Sequence, residues 1–222
     1  MAIIAPTITT DDRAIYADRI DEYGQFAPAI HLDITDGKFA PSQTLSLNQM
    51  YWPDKRDFRI HVHLMVKDPV VWASQLVSMS PDYVIVQAES QEANIKLPKL
   101  SGYLKKFDIS VGLALLADTP VELIKPIIDY FDGVLLFGGH LGYQGGQANL
   151  SVLDKIAEVK DLKSDLVIGY DGGANSSNIA QIVQAGVDVV NIGSAIEQAN
   201  DRRAAFTELQ NLADQSLAND KN

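Results

Sequence analysis

Arg59-Ile60-His61-Val62-His63-Leu64-Met65, followed after two residues by Asp68-Pro69-Val70, is a short apolar run that gives way at once to a helix start. Apolar and polar positions alternate along it, with Ile60, Val62 and Leu64 on one side and two histidines on the other, as in a strand. Asp68 before Pro69 is a helix-entry signal, because proline lacks an N–H that the first helical turn would leave unused. Moving outward from this unit, similar runs begin near Ile3, Ile30, Arg59, Tyr83, Ile109, Val134, Leu166 and Asp188. Helix signals fill the gaps. They are Asp11-Asp12 before Ile15, Thr119-Pro120-Val121-Glu122 before Ile124, and Asn175 before Ile179, with a last helix from about Ala195 towards Leu217. The end, from Asn219 to Asn222, is expected to fray.

Eight strand–helix units in 222 residues predict an α/β chain folded as one (β/α)8 TIM barrel over residues 1–222. A doubly wound open sheet would need fewer strands and a glycine fingerprint after the first, which is missing. No linker, low-complexity tract or second domain interrupts the pattern. The 46% hydrophobic content suffices for one substantial core. A formal charge of -11 argues against nucleic acid and anionic membrane surfaces as partners, since both recruit clustered Lys and Arg. With no cysteine, disulfides, thiolate metal sites and cysteine nucleophiles are excluded. The start of the chain is too short an apolar run for a signal peptide, and no apolar stretch reaches about 18 residues, so a cytoplasmic, soluble protein is expected.

In a barrel of this type functional groups sit at the carboxyl ends of strands. The second strand, Ala29-Ile30-His31-Leu32-Asp33-Ile34-Thr35-Asp36-Gly37, puts His31 and Asp33 on one face. In the third, His63 lies nearer the carboxyl end than His61, which is assigned to the barrel interior below. The seventh strand runs Val167-Ile168-Gly169-Tyr170-Asp171-Gly172-Gly173 and brings Asp171 to the mouth. A lone His or Asp at a strand end more often caps or pairs, but four at matching depth on three strands call for another reason. His31, Asp33, His63 and Asp171 can converge on one divalent cation, and mixed imidazole and carboxylate ligation suits Zn2+, Mn2+, Fe2+ or Co2+.

Glycines mark the ends of the last two strands, as Gly172-Gly173 and as Gly193-Ser194 ahead of Ala195. They let backbone N–H groups approach an anion closely, and a helix amino terminus beyond adds a favourable dipole, so a substrate phosphate is expected there; tight turns are the competing explanation. After the sixth strand, Gly138-Gly139-His140-Leu141-Gly142-Tyr143-Gln144-Gly145-Gly146-Gln147 reads as a lid able to exclude water, with His140 facing solvent.

These residues resemble the ribulose-phosphate 3-epimerase family, which includes allulose-6-phosphate 3-epimerases, over nearly the whole chain. The motif His-x-Asp-x-x-Asp-Gly-x-Phe-x-Pro stands at His31 to Pro41, and His-Leu-Met-Val at His63 to Val66. Asp-Gly-Gly stands at Asp171 to Gly173, Ala-Gly-Val-Asp at Ala185 to Asp188, and Gly-Ser-Ala-Ile at Gly193 to Ile196. The resemblance implies that the four clustered side chains ligate the metal and that Asp33 and Asp171 are also the two proton-transfer groups of a C3 epimerisation. It further implies that Thr7, Met65, Gly142, Tyr143, Gln144 and Gly145 contact a phosphorylated ketose, and that the chain forms a homo-oligomer, a dimer or hexamer.

The chain departs from the family pattern at Gln144, which interrupts the lid motif, at Thr35 in place of a methionine, at Gln87 in place of a histidine, and at Leu116-Ala117 in place of Asn-Pro. Most of these lie near the substrate rather than at the ligands, so both a pentulose 5-phosphate and a hexulose 6-phosphate stay open. A decarboxylase of the orotidine-phosphate type is disfavoured because Asp33-Ile34-Thr35-Asp36 lacks that array's lysine. A sugar-phosphate sensor without turnover is the remaining alternative, opposed by the presence of both carboxylates.

Overall fold

In the computed structural model the described residues are 2–143 and 145–219. Among them the eight runs become β1 (Ile3–Ile8), β2 (Ala29–Thr35), β3 (Arg59–Met65), β4 (Tyr83–Gln87), β5 (Ser110–Leu116), β6 (Gly133–Phe137), β7 (Val167–Asp171) and β8 (Val189–Ile192). They pair in sequence order, all parallel, and β8 closes on β1. The predicted (β/α)8 barrel is therefore the observed one, with each strand starting within a residue of its expected place. All seven residues of β2 are buried, as a wall covered on both faces requires.

Local chemistry starts the helices. α1 (Arg13–Tyr23) is capped by Asp12, whose carboxylate accepts from the backbone N–H of Ala14 at 2.7 Å and of Ile15 at 3.2 Å. Asp68 accepts in the same way from Val70, and a 3-10 turn at Pro69–Trp72 leads into α2 (Ala73–Met79). α3 (Ala93–Leu104), α4 (Lys155–Leu162), α5 (Ile179–Gln184), α6 (Ser194–Glu197) and α7 (Arg202–Asn219) complete the outer ring.

Two helices differ from expectation. Between β5 and β6 there is no α-helix, only 3-10 turns at Val121–Leu123 and Ile128–Tyr130. Pro126 stands where a continuing helix would need an N–H, and its ring would meet the carbonyl four residues earlier. The single last helix is split into α6 and α7. Asp201 accepts from the Ala204 N–H at 2.9 Å and so starts a new helix rather than continuing the old one. Residues 220–222, expected to fray, lie outside the described residues.

Strand alternation divides the core in two. Ile30, Leu32, Ile34, Ile60, Val62 and Leu64 join the large cluster between wall and helices, while Ile85, Ala114 and Leu135 form a separate small one with Tyr83. Gly112 makes room for that tyrosine, since a Cβ there would lie 2.0 Å from its hydroxyl. His61 packs edge-on against the Tyr83 ring at 5.5 Å. At the amino-terminal rim Asp82, Asp132 and Asp188 accept from the backbone N–H groups of Ile60, Val111 and Ile168 at 2.7, 2.9 and 2.8 Å, stitching neighbouring strands together. The opposite, carboxyl end is thereby left for chemistry. Among the described residues no helix is long and apolar enough to cross a membrane.

Candidate metal centre and substrate pocket

Register sets the depth of each functional side chain. His31 is level with Thr7 of β1, Asp33 is level with His63, and Asp171 is level with Phe137 on one side and Asn191 on the other. Inward-pointing residues at these levels meet on the barrel axis. His31 Nε2 lies 3.2 Å from Asp33 Oδ1 and 3.3 Å from Asp171 Oδ2, and His63 Nδ1 lies 3.3 Å from Asp33 Oδ1. One ligand atom from each of the four lies within 4.8 Å of every other.

The group is buried, with both histidines at 0% exposure. Although the separations are short, none is directed as a hydrogen bond, and His31 Nε2, Asp33 Oδ1, His63 Nδ1 and Asp171 Oδ2 are all left without a partner in the chain. Buried polar atoms without partners are costly, at about 1–3 kcal/mol each, so four facing one point need an explanation. A divalent cation supplies it. Donors each roughly 2.0–2.2 Å from a tetrahedral centre lie about 3.3–3.6 Å apart, close to the separations found here. The His31, Asp33, His63 and Asp171 group can hold a divalent metal.

Within the chain itself the two carboxylates and two imidazoles shift one another. Burial works against a charged His31, yet the carboxylates of Asp171 and Asp33 outweigh it and lift the imidazole to about 9. Burial would also raise Asp33, but His31 and His63 hold it below the usual carboxylate range. Asp171 goes the other way: burial, aided by the Asp33 charge, raises it. His61, outside the cluster, is pushed down to about 3 by burial and stays neutral.

Above the cluster lies a pocket whose floor is Asp33 and Asp171. Thr7 lines it from the carboxyl end of β1 with a buried, unpartnered hydroxyl. Met65 lines it from the end of β3. Gly172, Gly173, Gly193 and Ser194 also line it, as do Gly142, Tyr143 and Gly145 of the loop after β6. Gln144, also expected here, lies outside the described residues. α6, which begins at Ser194, is only four residues long, so backbone N–H groups rather than a helix dipole are what this side offers an anion.

The loop glycines also have a packing reason. Gly172 adopts φ 121°, and a Cβ on it would lie 2.0 Å from the backbone nitrogen of Gly139. The β7 and β6 loops therefore touch backbone to backbone. The described residues leave a cavity of about 40 Å³, room for only a few waters.

Several pocket residues escaped the sequence reading, Thr9, Phe137 and His140 among them. Thr9, one alternation beyond Thr7, donates to Asp33 Oδ2 at 2.6 Å; extending β1 by one residue would have found it. Phe137 ends β6 at the level of Asp171, so the strand-end rule already pointed to it. His140 is exposed as expected, but it also lines the pocket and packs edge-on against Tyr143 at 5.8 Å. That contact depends on the fold of the loop and leaves no trace in spacing.

Comparison with known proteins follows the same lines. The family model described as "Ribulose-phosphate 3 epimerase family" matches residues 3–197. Ribulose-phosphate 3-epimerase of Bacillus subtilis is 31% identical over 218 residues, covering 95% of this chain and 99% of the relative. The enzyme of the same name from Helicobacter pylori is 32% identical over 226 residues, covering 97% and 99%. Among solved structures, KGPDC from Streptococcus mutans superposes with a TM-score of 0.74 at 10% identity, covering 98% of this chain and 99% of the other. 3-Hexulose-6-phosphate synthase from Salmonella typhimurium superposes with a TM-score of 0.71 at 14% identity, covering 96% and 99%. At such identities these two speak to the fold alone.

Proposed function

The chain belongs to the ribulose-phosphate 3-epimerase family, and from that membership and its buried four-residue cluster we propose that it inverts C3 of a phosphorylated ketose by two-base proton transfer. The observation that carries the reading is the set of four partnerless donor atoms on three strands, two of them carboxylate oxygens at the floor of the pocket.

Inverting a carbon beside a ketone requires a proton to leave one face and another to arrive at the opposite face, so two acid/base groups must flank it. Asp33 and Asp171 come from strands separated by β8 and β1. Their environments push them apart, Asp33 down and Asp171 up. In this reading Asp33 takes the C3 proton, Asp171 delivers one from the other side, and the reverse reaction exchanges the roles. A bound Zn2+, Mn2+, Fe2+ or Co2+ would stabilise negative charge developing on the ketone and adjacent hydroxyl oxygens. Thr7 has an unpaired hydroxyl to offer the sugar. Backbone N–H groups of the Gly172-Gly173 and Gly193-Ser194 turns receive the phosphate. In this reading the glycine-rich loop after β6 opens to admit substrate and closes behind it.

The test is a screen of pentulose 5-phosphates and hexulose 6-phosphates for solvent deuterium uptake at C3. One of them should exchange at a rate that scales with enzyme concentration. Binding without exchange for every sugar tested would replace the epimerase with a sugar-phosphate-binding barrel.

A further inference from the structure

The two histidines of the cluster are held differently. His31 Nδ1, the nitrogen turned away from the cluster, is buried with no partner. His63 is held from behind: its Nε2 lies 2.9 Å from Gln87 Nε2. Gln87 is the last residue of β4 and is 0% exposed. Its other amide atom, Oε1, is buried without a partner. A fully buried amide with one end unused is expensive, so the residue needs a reason to be there.

The chemistry of imidazole supplies one. A neutral ring carries its proton on one nitrogen and its lone pair on the other. With Gln87 donating through Nε2, His63 must accept at Nε2, which places the ring proton on Nδ1, the atom facing Asp33 Oδ1 at 3.3 Å. A proton there blocks ligation. For His63 Nδ1 to bind a cation, Nε2 must carry the proton and find an acceptor. A half-turn about the last side-chain bond of Gln87 exchanges its two amide atoms, pairs the idle Oε1 with that proton and moves nothing else.

We propose that Gln87 is a positioning residue for the cation site: it presents Oε1 to His63 Nε2–H and so fixes the tautomer in which Nδ1 is free to ligate. This rests on the cluster being a cation site. Either state of the ring finds a partner in the same amide, so one residue serves the protein with and without the ion. Hydrogen-bond partners behind a ligating histidine are commonly worth 10–100-fold in metal affinity.

The test compares the parent with Gln87→Met, which keeps length without a strong hydrogen bond, and Gln87→Glu, which can only accept when ionised. Zinc affinity is measured by competition with a chromophoric chelator, and the His63 ring by 15N NMR of the zinc-loaded protein. The melting temperature of each metal-free variant shows that it folds. The expected result is zinc binding weakened about 10–100-fold in Gln87→Met and retained within a few-fold in Gln87→Glu. His63 Nε2 should carry a slowly exchanging proton in the parent that exchanges quickly in Gln87→Met. Parent-like affinity in Gln87→Met, or an unprotonated Nε2 in the zinc-loaded parent, overturns the proposal while leaving the cation site intact. A parent that binds no zinc overturns the site itself and this inference with it.

Discussion

Asp33 is approached from two sides, and each of its oxygens has its own task. Oδ1 faces the two histidines, while Oδ2 accepts the 2.6 Å hydrogen bond of Thr9. Thr9→Val removes the donor and keeps the shape, so Asp33 loses the contact that orients Oδ2 towards the pocket. A fall in kcat/KM of about tenfold, matching about 1.4 kcal/mol, is expected with little change in melting temperature; unchanged kinetics would show the bond to be idle. Asp33→Asn and Asp171→Asn should each reduce deuterium incorporation at C3 by at least about 100-fold. Exchange persisting in both variants would end the two-base scheme. At this scale the sequence was informative wherever side-chain type and strand parity sufficed. His31, Asp33, His63 and Asp171 could be placed because two positions on one strand share a face and carboxyl ends share a mouth. Thr9 and Gln87 could not be given partners, because hydroxyl and amide groups occur everywhere and only geometry shows what they touch.

Among the elements, the strands were more legible than the helices. Buried parallel strands are written as apolar, β-branched runs whatever surrounds them. The outer helices are short and half-exposed, so single residues decide their limits. Pro126 removes the helix expected after Thr119, and Asp201 divides the last one. The loop after β7 shows how an element and the site share residues. Gly172→Ala would impose a side chain at φ 121° and drive a Cβ into Gly139. Strain of this kind costs roughly 1–3 kcal/mol, so a drop of roughly 5 °C in melting temperature is expected, together with a raised KM because the loop after β6 shifts. A variant with parent-like melting and KM would mean that the two loops part without consequence.

For the whole molecule, closure of the barrel is reinforced outside the sheet. Glu197 of α6 accepts from Arg19 Nε at 2.7 Å and from Tyr23 Oη at 2.7 Å, both on α1, and lies 3.7 Å from Arg202 Nε of α7. The last strand–helix unit is thus tied to the first. Burial would raise the Glu197 carboxyl, but Arg19 and Tyr23 hold it below its ordinary value. A depressed carboxylate contributes stability above its unfolded pKa of about 4.3, and that contribution is lost as pH falls further. Glu197→Gln should therefore lower the melting temperature at pH 7 and match the parent more closely near pH 3; an equal deficit at both pH values would assign the loss to packing instead.

The cluster has a pH signature of the opposite sign. In protein stripped of metal, His31 is raised to about 9 by Asp171 and Asp33. Its stabilising charge is present below about pH 6.5 and fades as pH rises through 9, so the stripped protein should lose melting temperature over that interval while the metal-loaded protein does not. The two curves running in parallel would remove His31 from the cluster's charge balance.

The proposed chemistry of this barrel depends on one cation held by His31, Asp33, His63 and Asp171. Elemental analysis of purified, active protein, repeated after exhaustive chelation and after metal is restored, tests this most directly. The expected result is one first-row divalent metal per chain, lost together with activity and regained together with it. Full activity in protein that carries no metal would contradict it.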